Sequence, residues 1–202
     1  MAVNFKTSQT CLNLMRAFAG ESQARNRYTF AAEQAKQMQL PILEAVFNFT
    51  ANQELAHANV FYGLLKSLSG DSIHIDGTYP VDQSQDMIDV LNSAAHNEFE
   101  EANDAYPAFA QIAAEEGFAE AAAKFRQIAE IEKIHGERLT MFARAMQSGT
   151  LFQNSSPAEW FCINCGKIHS ATEAPQSCPV CGHPRGNFIR REFAPYTGQG
   201  GF

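Results

Sequence analysis

Six residues in the first two-thirds of the chain are of metal-binding types and recur at one spacing. Glu21 is followed by Glu54-x-x-His57, and Glu98 by Glu132-x-x-His135. The glutamate separations are 54−21=33 and 132−98=34, and the copies are offset by 98−21=77, 132−54=78 and 135−57=78. A duplicated helix pair, each giving one lone Glu and one Glu-x-x-His, is the ligand arrangement of a carboxylate-bridged di-iron bundle. Glu101 breaks the repeat, because its counterparts in the first copy, 101−77=24 and 101−78=23, are Ala24 and Gln23. Glu101 follows Glu98 by three residues, so on a helix both face the same pocket.

The helices that must position these groups are visible as apolar stripes. Phe125, Ile128, Glu132, His135, Leu139, Phe142 and Met146 lie on one helix face, and the face is apolar except at the two candidates. Phe47, Thr50, Glu54, His57, Phe61 and Leu65 form a similar stripe. So do Leu14, Ala17, Glu21, Ala24, Tyr28 and Ala31, and likewise Leu91, Ala94, Glu98, Ala105, Phe109 and Ile112. The carboxylates therefore point into the core. An ionised carboxylate buried without a partner is strongly unfavourable, and these stripes carry no Lys or Arg. Bound cations are the simplest compensation.

Four helices are predicted. The first runs from about Thr7 to Met38 and the second from Pro41, tolerated in a first turn, to about Leu68. A turn-rich loop, Ser69-Gly70-Asp71 through Tyr79-Pro80, must cross the length of the bundle, because the second and third helices of a duplicated bundle run parallel. The third helix is expected from about Ser84 to Glu116 with a kink at Pro107, Gly117 as the break, and the fourth from about Phe118 to Gln147. The fold class is mainly α: a four-helix bundle over residues 1–149, a polar linker at 150–156, and a small metal-knuckle domain at 157–202.

In that last segment Cys162-x-x-Cys165-Gly166 and Cys178-x-x-Cys181-Gly182 make two knuckles with twelve residues between them, the pattern of a tetrahedral four-thiolate site. So short a segment needs a metal to help hold its fold. Zinc is the commoner occupant of such knuckles taken alone. Beside a di-iron site that needs electrons, a single iron is the expected one, with zinc substitution open.

Composition excludes other classes. Net charge is −7 with acids and bases mixed along the chain, so no basic patch for nucleic acid or membrane is expected. No run of about 18 apolar residues predicts a transmembrane helix, and MAVNFKTSQT lacks the layout of a signal peptide. A cytoplasmic location with reduced cysteines is the resulting expectation. Cys11 is expected to be a small buried apolar residue, His74 and His96 ordinary histidines, Trp160 and Phe188 packing residues, and the glycine-rich tail 197–201 mobile.

The whole chain resembles the rubrerythrin family, a ferritin-like bundle followed by a rubredoxin-like domain. The resemblance rests on Glu21 with Tyr28, Glu54-Leu55-Ala56-His57, Glu98-x-x-Glu101 with Tyr106-Pro107, and Glu132-x-x-His135-Gly136-Glu137-Arg138. Trp160-Phe161-Cys162 and Cys178-Pro179-Val180-Cys181-Gly182-His183-Pro184 extend it through the second domain. Lys167-Ile168 departs from the aromatic expected after the first knuckle.

The resemblance implies a non-haem iron peroxidase that reduces hydrogen peroxide to water. It implies a homodimer or dimer of dimers, in which one subunit's cysteine centre feeds the partner's di-iron site. An electron-donating reductase or rubredoxin-type carrier is then a further partner. It implies that Glu54 and Glu132 bridge the irons, Glu21 is terminal on one, and Glu98 and His135 are terminal on the other. Glu101 when oxidised and His57 when reduced would alternate at the first iron. Tyr28 and Tyr106 would hydrogen-bond to ligand carboxylates, and Cys162, Cys165, Cys178 and Cys181 would hold the single iron. That alternation is chemically reasonable, since Fe(III) favours oxygen and Fe(II) accepts imidazole. A ferroxidase or iron-storage protein is the alternative the bundle alone would allow, and a zinc-ribbon adaptor a third reading. The cysteine domain argues against storage, and the inward-facing repeated ligands argue against an adaptor.

Overall fold

The computed structural model describes residues 3–194, so the tail 197–201 lies outside the described residues. Helix α1, Gln9–Gln37, starts where Ser8 caps it, its Oγ accepting from the Cys11 N–H at 3.0 Å. Phe5–Thr7 forms a separate 3₁₀ turn. A tight reversal follows, in which Gln39 takes a left-handed conformation (φ 59°) and Pro41 opens α2, Pro41–Leu64. The second helix ends short of Leu68, and its last turn is the 3₁₀ segment Lys66–Leu68. Residues 69–86 carry no helix or strand. Helix α3, Met87–Glu100, begins three residues later than Ser84, because Asp86 is the cap and accepts from the Ile88 N–H at 2.8 Å.

The expected kink at Pro107 is a different feature. A π-helical turn, Glu101–Ala105, joins α3 to α4, Tyr106–Glu115, and the Tyr106 N–H reaches five residues back to the Glu101 carbonyl. Pro107 has no N–H to offer the carbonyl four residues earlier, and the wider turn absorbs this defect without breaking the helix. One extra residue in a turn also rotates everything beyond it. The stripe expected to continue through Ala105, Phe109 and Ile112 is displaced by one position, to Tyr106, Ala110 and Ala113, which are the buried residues. After Gly117 (φ 89°) reverses the chain, α5 runs Ala119–Gln147.

Helix α1 packs along α2, and α3–α4 along α5. The apolar interior divides in two. Phe47, Leu91, Leu139 and Phe142 belong to one cluster, and Leu14, Phe61, Tyr106 and Phe125 to the other. In each long helical stretch the candidate ligands fall between the residues of these two clusters. No helix among the described residues is long and apolar enough to cross a membrane.

The cysteine domain is a three-stranded antiparallel sheet in the order β2-β1-β3, with β1 Gln153–Cys162, β2 Ile168–Glu173 and β3 Phe188–Arg190. Strand β1 thus begins inside the segment expected as linker. Trp160 and Phe188 are fully buried with Cys162, Ala174 and Cys178, and the Trp160 indole N–H donates to the Ala171 carbonyl at 2.9 Å. This domain is seated on the α1–α2 end of the bundle. Ile189 joins the bundle core, and Gly186 lies where a Cβ would stand 2.7 Å from the Gln39 carbonyl oxygen.

Gly136 plays a similar part inside the bundle, because a Cβ there would lie 2.9 Å from the Phe99 ring. Gly136→Ala should gain helix propensity yet lower stability by about 1–3 kcal/mol through overpacking. Urea denaturation of wild type and variant checks this, and an unchanged or higher midpoint would show that α3 and α5 are not held at this separation by the glycine.

Candidate metal centres

Glu21, Glu54, Glu98, Glu132 and His135 are at most 1% exposed and His57 is 6% exposed, so the helical stripes aim these groups into the core as expected. Oxygen and nitrogen atoms of two sets converge: Glu21, Glu54, His57 and Glu132, and Glu54, Glu98, Glu132 and His135. Glu54 and Glu132 belong to both.

The two shared carboxylates divide their oxygens between the two histidines. Glu54 Oε1 lies 2.9 Å from His135 Nδ1 and its Oε2 3.4 Å from His57 Nδ1. Glu132 Oε1 lies 2.8 Å from His57 Nδ1 and its Oε2 2.8 Å from His135 Nδ1. Glu21 Oε2 and Glu98 Oε2 complete the sets at 3.9 and 3.5 Å from His57 and His135. Although close, these atoms are buried without a hydrogen bond aligned to any of them. Their lone pairs converge on common points between them. Donor atoms sharing one small octahedral ion at about 2.1 Å stand about 3 Å apart, close to the 2.8 and 2.9 Å of the nearest Glu54 and Glu132 contacts. The donor set therefore fits two cations bridged by Glu54 and Glu132.

The outer oxygens are held by phenols. Tyr28 donates to Glu98, and Tyr106 donates to Glu21 Oε1 at 2.5 Å. Tyr106 can do this because the π turn brings it, and not Ala105, onto the inner face.

Protons alone settle this cluster poorly. Burial, then the neighbouring carboxylates, pushes Glu21 and Glu101 well above the carboxylate range. Burial, then Glu54, raises Glu98 to about 8. Burial acts in the same direction on Glu54, but the adjacent His135 and His57 outweigh it and hold Glu54 at about 2. Burial would lower the histidines, yet Glu132 and Glu54 raise His57 to about 9 and His135 to about 12. Such opposed shifts within one buried cluster mark a site built for more positive charge than two imidazoles carry.

Glu101 belongs to neither converging set. It is only partly buried, and it lines a cavity together with Gly20, Tyr79 and Tyr106. Sequence reading alone missed Gly20 and Tyr79. The available signal was a glycine inside a helix, next to Glu21, at a position where glycine weakens a helix. His74 and His96 are exposed, and Cys11 is buried in the apolar core.

The four cysteines also converge. Sγ–Sγ separations are 3.8 Å for Cys162–Cys181 and 3.6 Å for Cys165–Cys178, far beyond a disulfide. Four sulfurs placed tetrahedrally at about 2.3 Å from one ion stand about 3.8 Å apart. The His183 backbone N–H outweighs burial and lowers Cys181 to about 6. Cys162 and Cys178 are buried, while Cys165 is exposed and Cys181 partly so.

These features match known proteins. The family model for rubrerythrin matches residues 13–143, and that for the rubrerythrin rubredoxin-like domain matches residues 160–189. A rubrerythrin of Clostridium perfringens is 40% identical over 92% of this chain and 95% of its own length. One of Porphyromonas gingivalis is 41% identical over 93% of this chain and 92% of its own. The solved structure of fully reduced, all-ferrous nigerythrin, 28% identical, superposes with a TM-score of 0.61 over 91% of this chain and 90% of that one. With a di-iron ferritin-like site of glutamate and histidine groups and a four-cysteine rubredoxin-like knuckle, the chain belongs to the rubrerythrin family.

Proposed function

We propose that this chain reduces hydrogen peroxide to water at the bundle site, with electrons delivered one at a time through an iron held by Cys162, Cys165, Cys178 and Cys181. The observation that carries this reading is the pairing of two sites in one chain. Two carboxylates split their oxygens between two histidines in the bundle, and the second domain adds a four-sulfur site suited to one-electron transfer. When bound, a pair of ferrous ions supplies the two electrons of H₂O₂ + 2e⁻ + 2H⁺ → 2H₂O. An iron store needs no dedicated electron supply.

The chain's residues take these roles in the proposal. Glu54 and Glu132 bridge, Glu21 and His57 complete one side, and Glu98 and His135 the other. Tyr28 and Tyr106 fix the outer oxygens of Glu98 and Glu21, which keeps each carboxylate from rotating. Glu101 is the alternative to His57 on the first side. It stands at the cavity, within reach of a reactant that enters there. The opposed apolar clusters keep bulk water from the reacting groups.

The seat of the cysteine domain supports transfer between copies. It rests at Pro41, 54−41=13 residues before Glu54, so about 20 Å along α2 at 1.5 Å per residue. A homodimer, or dimer of dimers, in which each cysteine site meets the partner's bundle site shortens that path. A reductase or rubredoxin-type carrier refills the exposed Cys165–Cys181 side, and a reducing cytoplasm suits the thiolates.

Purified protein should carry about three irons per chain if both sites fill as read, and hydrogen peroxide should oxidise the reduced form in a single stopped-flow transient. A protein that oxidises ferrous iron and stores it, without peroxide turnover, would overturn the peroxidase reading.

Glu54→Ala removes a carboxylate shared by both sets. Iron analysis and visible spectra should show loss of the coupled pair with the thiolate band retained. Two irons kept in the bundle with unchanged spectra would refute the bridging role.

For Cys178→Ser the bundle should stay folded and be oxidised once by peroxide, while steady-state turnover with a reductase falls by about tenfold or more. Mixing it with a Glu132→Ala chain should restore part of the turnover in demonstrated heterodimers. No recovery would place electron transfer within one chain.

Glu101→Ala should leave the all-ferrous form nearly intact and lower peroxide turnover by about tenfold or more. Unchanged turnover would remove Glu101 from the reaction.

A further inference from the structure

A cavity lies next to the buried site. It has a volume of about 260 Å³ and lies between α1, the crossover segment 69–86 and the π turn. Its wall includes Glu101 and Tyr106, the latter bonded to Glu21. Three further surface cavities touch none of the candidate ligands. A reactant using this cavity therefore passes Glu101.

Gly20 and Tyr79 line the cavity beside Glu101. Gly20 has no side chain, and a Cβ on it would stand 3.6 Å from Glu101 Oε1 and 3.8 Å from the Tyr79 ring. The backbone of α1, the Glu101 carboxylate and the Tyr79 ring thus meet around one point. Glycine inside a helix weakens it, yet a methyl group would meet only ordinary contacts here, so packing does not require the glycine.

Tyr79 is fixed rather than loose. Its hydroxyl donates to the Arg16 carbonyl at 3.1 Å, and Arg16 grips Asp76 through Nε to the carbonyl at 3.0 Å and Nη2 to Oδ1 at 2.5 Å. Gly77 sits under the ring, where a Cβ would be 3.1 Å away. On the far side of the cavity Arg27 pairs with Asp82 at 3.1 Å, and Asn97 donates to the same Asp82 at 2.7 Å. The crossover is strapped to the bundle on both sides of Tyr79.

We propose that Gly20 and Tyr79 form a size-selecting throat that admits hydrogen peroxide to the bundle site and excludes bulky alkyl hydroperoxides. This rests on the peroxidase reading above. The chemistry offered to either substrate is the same, since an alkyl hydroperoxide takes two electrons and two protons to give an alcohol and water. Discrimination therefore lies in access. Tyr79 is a specificity residue, and Gly20 keeps the opening beside Glu101.

The first measurement is the rate constant for oxidation of the reduced full chain by hydrogen peroxide and by tert-butyl hydroperoxide. In Tyr79→Ala the ratio of the bulky to the small peroxide should rise by about tenfold or more, and a change below about twofold would overturn the throat. Gly20→Ala should slow both peroxides without loss of thermal stability; unchanged rates with both would remove Gly20 from the throat.

The second measurement does not use the bundle metals. In a Gly20→Cys chain with its four-cysteine site metal-filled, labelling of the introduced thiol is followed by peptide mass. Methyl methanethiosulfonate should react at least about tenfold faster than a bulky aromatic analogue, and Tyr79→Ala should close that gap. Equal rates with Tyr79 present would overturn the proposal. A parent chain that hydrogen peroxide does not oxidise at all would overturn the peroxidase reading and the substrate assignment with it, while the labelling would still report whether the throat selects by size.

Discussion

Everything in the bundle is arranged around an electrostatic problem: several carboxylates held together in a buried interior. Glu21, Glu54, Glu98 and Glu132 have essentially no exposed surface. In a low-dielectric interior their mutual repulsion is large. Two imidazoles relieve part of it, which is why Glu54 is held low while Glu98 is forced up. The remaining charge calls for cations between the oxygens. The apolar clusters above and below serve this arrangement, because they supply the folding energy that keeps mutually repelling groups in place.

The bundle site was legible in the sequence because its geometry is a helical one. Positions such as Glu132 and His135 share a face at any point of a regular helix, so spacing alone carried them to the core. The cysteine site was legible for a similar reason, since two knuckles fix their own sulfurs through local turns. What the sequence did not show lies where regularity fails. The π turn moved the inner face of α4 from Phe109 to Ala110, and no local pattern signals one extra residue in a turn. Pro107 signalled a defect but not its form. Tyr79 lies in a segment without periodicity, and its contacts with Arg16 and the Gly20 region join residues 63 and 59 positions apart, 79−16 and 79−20.

The π turn also begins at the residue that breaks the repeat of the two helix pairs. Two copies of a helix pair would give two equal sides. The second copy instead has Glu101 at the start of a widened turn, and the first copy has Ala24 or Gln23 at the corresponding places. Glu101 lines the cavity, and the widened turn that follows it brings Tyr106 inward to Glu21. An extra carboxylate on a regular helix could have stood at the same spacing from Glu98, but Tyr106 would then have faced away. The irregular turn thus sets Glu101, the alternative ligand of the proposed mechanism, and Tyr106, the hydrogen-bond partner of Glu21, on the same side.

The two metal-binding sites differ in exposure, and the difference suits what each would exchange on the proposed reading. On the proposed peroxidase reading the bundle site takes in atoms, and the cavity bounded by Glu101 and Tyr79 lies beside its buried residues. On the same reading the cysteine site exchanges only electrons, which need proximity but no channel. Its sulfurs can therefore be half covered, with Cys162 and Cys178 inside the small core and Cys165 at the surface. A tight seat against Gln39 and Pro41 holds that domain to its own bundle, and leaves the exposed sulfur side as the face on which an electron donor or acceptor can close.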